Sequence, residues 1–359
     1  MDRRHFEYFT FYELIYFIFT KSVNLLQVTE KANLFQREID VFACANNKIA
    51  NILEGCGHGR YQPYGPKCSY THSGPPASLI IMEDLKESGF RLAKYSEGLD
   101  INHCLLAVNA LAIHHAGSVA LFAKDPKKIE PFKKSIYTEE MKRNVKKLHE
   151  PTLRRIAFEA QTWPECQGQI ADKIQELTLF YSFERLLNSV NTDDTDFNVL
   201  AHEDLCLDNL MFRYSDNNQK PADVRFVDFQ LSHWTSPVLD LSYLINANAS
   251  VDIVLQPEII LEEYYKTLRE TLRALGCSHL CPSNVYLYDQ YDKKCIFGII
   301  LGLVVRGHML KDRTKTDKAP RDFRRVTSSH FSDSFRNDLK KMLPYYFKKG
   351  WLNNTRKSI

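Results

Sequence analysis

The chain has 359 residues, 44% of them hydrophobic and 25% charged, with a formal net charge of +3. That composition suits a globular protein large enough for two lobes around a cleft, and no low-complexity tract, repeat or long linker interrupts it. The small net charge, without a basic stripe interleaved with aromatics, argues against nucleic-acid binding; nine scattered cysteines without metal-ligand spacing argue for reduced thiols in the cytoplasm rather than a disulfide framework.

The amino terminus combines Arg3 and Arg4 with an aromatic run, as a signal peptide would. Glu7 and Glu13 break that run, no small-residue cleavage site follows, and the uncharged part is too short to span a bilayer. Residues 14–19, rich in Ile, Phe and Tyr and ending in Thr20-Lys21-Ser22-Val23, read instead as a strand. In residues 34–42, Phe35, Ile39 and Phe42 recur at helical spacing and leave Glu38 on another face, where by itself it is an exposed helix acid. Residues 77–82 read as a compact apolar strand ending in Glu83-Asp84-Leu85. Those two acids suit a capped turn or a ligand contact equally. Helical spacing then runs through residues 99–122, with His115 and Ser118 on one face, either as packing residues or as partners of a common group. The basic segments 124–134 and 142–147 read as solvated faces, and residues 152–158 and 170–190 as further helices.

Residues 199–240 carry the chemistry. His202, Asp204 and Asn209 have the spacing H-x-D-x-x-x-x-N, which sets a carboxylate at a strand end and a carboxamide able to face the same cavity. After a polar turn at residues 215–221, the short apolar strand 224–227 delivers Asp228, followed by Phe229 and Gln230. A base, an Asn and a second Asp able to hold a divalent metal are what phosphoryl transfer requires, because positioning and charge neutralisation supply most of that catalysis. Each short motif occurs by chance in many chains; the two in this order and at this separation are much rarer.

Beyond the block, residues 257–274 form a helix with Ile260, Tyr264, Leu268 and Leu272 at four-residue intervals. Residues 277–281, with Cys277 and Cys281, read as a loop rather than a metal site. Residues 293–309, very apolar and containing Gly298, Gly302 and Gly307, are too short and too near charges for a membrane span and read as a buried helix. A final amphipathic helix and a frayed tail close the chain.

His202-Glu-Asp-Leu-Cys-Leu-Asp-Asn209 followed by Asp228-Phe-Gln230 resembles the HGDLWxNN and DFQ block of the ecdysteroid kinase-like (CHK kinase-like) small-molecule kinases, relatives of the choline kinases and aminoglycoside phosphotransferases. Glu203, Cys206 and Asp208 depart from that pattern; Glu203 matters most, because a glycine there can serve a backbone geometry or a close approach that a Cβ obstructs. The surroundings of Lys21, Glu38, Glu83 to Leu85, His115 and Asp240 resemble further segments of the same family. The resemblance implies an α+β, protein-kinase-like two-lobed fold with a truncated small β lobe: residues 1–84 as partial small lobe and hinge, residues 85–359 as a mostly helical large lobe. It also implies ATP and Mg2+ as cofactors. Lys21 would contact the nucleotide phosphates and pair with Glu38, Glu83 and Leu85 would lie at the hinge beside the adenine, and Asn209 and Asp228 would hold the metal. Asp204 would be the catalytic base, with His202 and Asn209 in its site, and Asp240 would support the loop. The implied acceptor is a hydroxyl of an ecdysteroid or another apolar or xenobiotic alcohol; a choline or ethanolamine kinase and a catalytically impaired pseudokinase are the alternatives. Only twenty residues precede Lys21, none of them Gly, so the expectation is a shortened product or an incomplete nucleotide clamp. No APE-like segment follows Asp228, which argues against a protein kinase.

Overall fold

The structure, a computed structural model, describes residues 33–56, 63–74, 78–93, 98–178, 182–193, 195–215, 220–309 and 331–353. The strand expected at residues 14–19, and Lys21 with it, lies outside the described residues. Helix α1, Leu34–Asp40, runs through a π-helical turn, Val41–Asn46, into α2, Asn47–Gly55, and the three bury Ile39, Phe42, Ile49 and Leu53 on one side. Strands β1, Cys68–His72, and β2, Leu79–Met82, form an antiparallel pair.

Five short strands build two small sheets in the large lobe: β3, Arg91–Leu92; β4, Val199–Ala201; β5, Leu210–Tyr214; β6, Pro221–Phe226; and β7, His233–Thr235. β5 lies between β3 and β6, while β4 pairs with β7, all antiparallel. Across the β5–β6 hairpin, Leu210 faces Phe226 and Phe212 faces Val224, all four buried, while on the other face Arg213 pairs with Asp223 at 3.0 Å. Burial alternates along β5, whereas Asp223 to Phe226 of β6 are all buried, and the hairpin delivers Asn209 and Asp228 to neighbouring strand ends.

Helix α3, Ile101–Lys124, starts at Asp100, whose side chain accepts from the His103 backbone N–H. It is long and apolar enough to cross a membrane by length and composition, yet 61% of its apolar window is buried, because it is the helix the rest of the lobe packs around. The others are α4, Lys142–Ala160; α5, Gln169–Glu176; α6, Ser182–Val190; α7, Val238–Tyr243, with a π-helical continuation Leu244–Asn248; α8, Val251–Val254; α9, Glu258–Ala274; α10, Asn284–Lys294; α11, Ile296–Met309; and α12, Asp333–Lys348. α9 lies along α3. The described part of the run expected at residues 170–190 is helical, burying Ala171 and Ile174 in α5 and Phe183, Leu186 and Val190 in α6. The helix expected from residue 293 begins at Ile296, after α10 has ended at Lys294, where the sequence turns apolar.

The glycines of α11 have a packing reason. A Cβ on Gly298 would sit 2.1 Å from the Ser242 carbonyl carbon, and one on Gly302 would sit 2.6 Å from the Asn246 carbonyl oxygen, so α11 meets α7 and its π turn backbone to backbone. One turn further on, the wholly buried Arg306 donates to the carbonyls of Asn246, at 2.7 Å, and Ala249, and reaches Asp338 at 3.2 Å. Those bonds satisfy carbonyls that the irregular turn leaves without helical partners. Gly298→Ala is expected to destabilise the fold by about 1–3 kcal/mol, the usual cost of overpacking, in urea unfolding; an unchanged midpoint would show that the two backbones are not in contact.

Candidate active site

The site grows from the end of β4. There the backbone N–H groups of His202 and Glu203 donate to the two carboxylate oxygens of Asp240, each at 2.8 Å. Asp240 lies in the first turn of α7 with no exposed surface and also accepts from His115 Nε2 at 3.2 Å. The Tyr264 hydroxyl lies 2.9 Å from His115 Nδ1, and with Nε2 donating to Asp240 that nitrogen accepts from the phenol. Ser118 serves the neighbouring strand instead, accepting from the Leu200 N–H at 3.0 Å, so His115 and Ser118 share no partner among the described residues.

His202 ties the two halves of the block together. Its Nε2 donates to the Val227 carbonyl at 3.1 Å and its Nδ1 accepts from the Asp204 N–H at 3.3 Å. Burial holds the ring down at about 4, so it is neutral and fully engaged, a positioning group rather than a proton carrier.

Asp204 is recessed but partly accessible. One carboxylate oxygen accepts from the Tyr243 hydroxyl and the other from Asn209 Nδ2, both at 3.2 Å. Asn209 Nδ2 also reaches the Asp204 carbonyl at 2.9 Å, which fixes the carboxamide beside the carboxylate. Burial pushes the Asp204 carboxyl up to about 6, against the hydrogen bonds from Tyr243 and Asn209. Tyr243 is a site residue the motif did not contain; its only signal in the sequence is its place one helical turn after Asp240.

Asp228 has a φ of 68°, a left-handed conformation uncommon for a non-glycine residue and typical of sites where geometry is over-determined. Its Oδ2 accepts from Gln230 Nε2 at 3.1 Å. The next residue, Phe229, locks the turn: its ring is buried against Phe42 at 5.4 Å, Tyr64 at 5.7 Å and His202 at 5.0 Å. Glu38 is buried, not an exposed helix acid, and its Oε1 accepts from the Phe229 N–H at 3.3 Å. The apolar spacing of α1 misplaces it because the helix packs on two sides, one against the core and one against the segment after Asp228. Burial pushes the Glu38 carboxyl to about 7. The Asp228 carboxyl lies well above its usual range, first through burial and then through the charges of Glu38 and Asp204.

Three recessed acids thus meet here, two of them raising the third, Asp228. Among the described residues no set of three His, Cys, Asp or Glu side chains converges as a self-sufficient metal site. Oxygen donors in surplus negative charge nonetheless fit magnesium, which takes one or two protein ligands and completes its shell with phosphate oxygens and water. Where the hinge is expected, the exposed Glu83 donates its N–H to the Lys67 carbonyl at 2.9 Å, Asp84 caps its own turn by accepting from the Lys86 N–H at 2.8 Å, and Leu85 is buried in the core.

The mixture of a mostly helical lobe with small antiparallel sheets is a kinase-like α+β architecture. The chain belongs to the ecdysteroid kinase-like family, whose profile matches residues 15–277. Among curated proteins none matches the chain in sequence. Of solved structures, it is similar to an aminoglycoside phosphotransferase from Alicyclobacillus acidocaldarius, at 10% identity over 84% of this chain and 81% of that one with a TM-score of 0.39. It is also similar to a spectinomycin phosphotransferase in complex with ADP and spectinomycin, at 12% identity over 85% and 83% with a TM-score of 0.35. Both scores are low, and the family assignment rests on the sequence match.

Because the folded Glu38 and Asp204 carboxyls titrate near 7 and 6, above their ordinary values of 4.5 and 3.8, the folded state holds their protons more tightly than the unfolded chain. Their contribution to stability is complete below about pH 4 and is lost as pH rises through 6 to 7, with a slope of up to about 1.4 kcal/mol per pH unit for each group. Urea unfolding without divalent cation is therefore expected to show the wild type losing stability relative to Glu38→Gln between pH 5 and 7.5. Parallel curves would contradict the buried-carboxyl assignment.

Proposed function

We propose that this chain is an ATP-dependent small-molecule kinase that phosphorylates a hydroxyl of an apolar alcohol, an ecdysteroid or a similar xenobiotic. The observation that carries the reading is the Asp204 carboxylate, recessed yet accessible, clasped by Tyr243 and Asn209 and placed beside Asp228. Asp204 orients the acceptor hydroxyl and takes its proton as the oxygen attacks the γ-phosphorus; with a carboxyl near 6 it is mostly ionised at neutral pH and still basic enough to serve. Asn209 and Asp228 would hold magnesium, which when bound offsets charge on the phosphates. We assign Glu38 as the partner of Lys21, the pairing that the family resemblance implies. The nucleotide side belongs to residues 1–84 and the acceptor side to residues 85–359.

The acceptor class follows from the family resemblance, and the aromatic side chains near Asp204 are packed in the core behind it. The Tyr137 and Phe297 rings meet edge to face at 5.8 Å, and Tyr243 packs on Phe297 at 6.4 Å. Burial raises the Tyr137 phenol, with the Glu203 and Asp204 charges adding to it, which places the ring near the catalytic loop. Choline, the alternative acceptor, belongs in the same screen.

One observation favours a binding module without turnover: Glu203 stands in the catalytic loop at a φ of 61°, where the family pattern has glycine. Two measurements decide. Mg-ATP at about a hundred times its dissociation constant is expected to stabilise the wild type by about 2.7 kcal/mol, and Asp228→Ala to lose that gain; no shift in the wild type would sink the kinase reading. Asp204→Asn is expected to keep Mg-ATP binding and to lower transfer to a steroid alcohol by about 100- to 10,000-fold. Unchanged turnover would remove Asp204 from the role of base.

A further inference from the structure

Glu203 reads in the sequence as damage to the catalytic loop, and the structure gives it a different part. Its backbone sits in the left-handed region, at a cost of about 1–2 kcal/mol for a residue with a Cβ. A glycine would adopt that conformation freely and make the same N–H bond to Asp240. What glycine lacks is the side chain, and in this chain the side chain is wholly buried and charge-matched.

Glu203 Oε1 lies 2.9 Å from His233 Nδ1, and His233 Nε2 lies 3.3 Å from the Lys133 carbonyl oxygen. The carbonyl can only accept, so Nε2 donates to it. The proton between Nδ1 and Oε1 then joins imidazolium to carboxylate, or imidazole to carboxylic acid; either form keeps the buried pair neutral overall. The adjacent groups are held from α1. Arg37 donates to the Ser232 carbonyl at 2.8 Å and to the Lys134 carbonyl at 2.7 Å, the residues immediately before His233 and after Lys133. Burial lowers the Arg37 guanidinium, and the Glu203 carboxylate is the leading charge that opposes it. Glu203 Oε2 is buried with no hydrogen-bond partner among the described residues, so this oxygen is left to the field of that nearby cation.

Arg37 precedes Glu38, and Glu38 takes the N–H of Phe229. Glu203, His233 and Arg37 thus join the catalytic loop, the segment after Asp228 and the helix carrying Glu38 in one charge-linked node. We propose that Glu203 is a positioning residue: its carboxylate, through His233 and Arg37, holds α1 at the depth where Glu38 meets Phe229 beside Asp228. The chain gives up the conformational ease of glycine in the loop and gains an electrostatic tie between its two sides.

This deepens the kinase reading, and hydrogen exchange tests it without any turnover. Peptides covering α1 (residues 34–46), residues 226–235 and the distant α9 are followed by mass spectrometry in the wild type, Glu203→Gln, Arg37→Met and the double variant. Exchange in α1 and at residues 226–235 is expected to rise at least fivefold in each single variant, with no further rise in the double variant and α9 unchanged. Uniform acceleration of all three peptides would reduce Glu203 to a general stabiliser and overturn the proposal. So would unchanged exchange in α1, or effects that multiply in the double variant. Glu203→Gly is expected to behave as Glu203→Gln, since it frees the backbone but removes the carboxylate; wild-type exchange in that variant would also overturn it. A chain that binds no Mg-ATP yet shows the local, non-additive pattern would sink the kinase reading and leave the positioning role standing.

Discussion

The site depends on one buried carboxylate. Asp240 has no exposure and accepts the N–H groups of His202 and Glu203 at the point where β4 ends and the chain must turn. A turn in the interior strands its amides away from water, and each unpaired one would cost free energy on the scale of a lost hydrogen bond. Supplying both acceptors from one side chain lets the loop bend sharply enough to put Glu203 in a left-handed conformation and Asp204 at the mouth of the cleft. Asp240 is in turn carried by α7, and α7 is seated by the glycine face of α11, where no Cβ separates the backbones. Two residues with no chemical function, Gly298 and Gly302, thereby set the depth of the helix that offers Tyr243 to the Asp204 carboxylate.

Around that scaffold the charges are arranged in excess. Glu38, Asp204 and Asp228 each lie above the ordinary carboxylate range because they are buried, and at Asp228 the charges of Glu38 and Asp204 add to the effect. A packed core would avoid such a cluster, since buried like charges destabilise the fold that contains them. Its presence makes sense where a cation and phosphate oxygens are to be gathered, and the unfavourable energy of the cluster alone is then what makes it selective for them. The strained φ of Asp228 fits the same logic, held by the Phe229 ring packed among Phe42, Tyr64 and His202.

Much of this was legible before any coordinates. The H-x-D-x-x-x-x-N and D-F-Q segments, the hairpin between them, the helices 257–274 and 99–122 and the supporting role of Asp240 follow from periodicity, spacing and resemblance, and all of them appear in the structure. The misreadings have local causes. The break at Cys295, which separates α10 from α11, was invisible because apolar stripes on successive helices can continue the same count. Glu38 looked exposed because helical periodicity shows one buried face, and α1 has two.

The sequence by itself carried the candidate chemistry: the spacing of H-x-D-x-x-x-x-N and D-F-Q and its family resemblance point to phosphoryl transfer. Only the tertiary structure decided which groups act on which. His202 became a neutral strut, Tyr243 entered the site from a helix outside the motif, and Glu203 passed from apparent lesion to a partner of His233. The physical reason is that pKa values, charge pairing and hydrogen-bond roles are set by burial and by neighbours distant along the chain, such as Glu38 and Phe229, whose proximity no local pattern records.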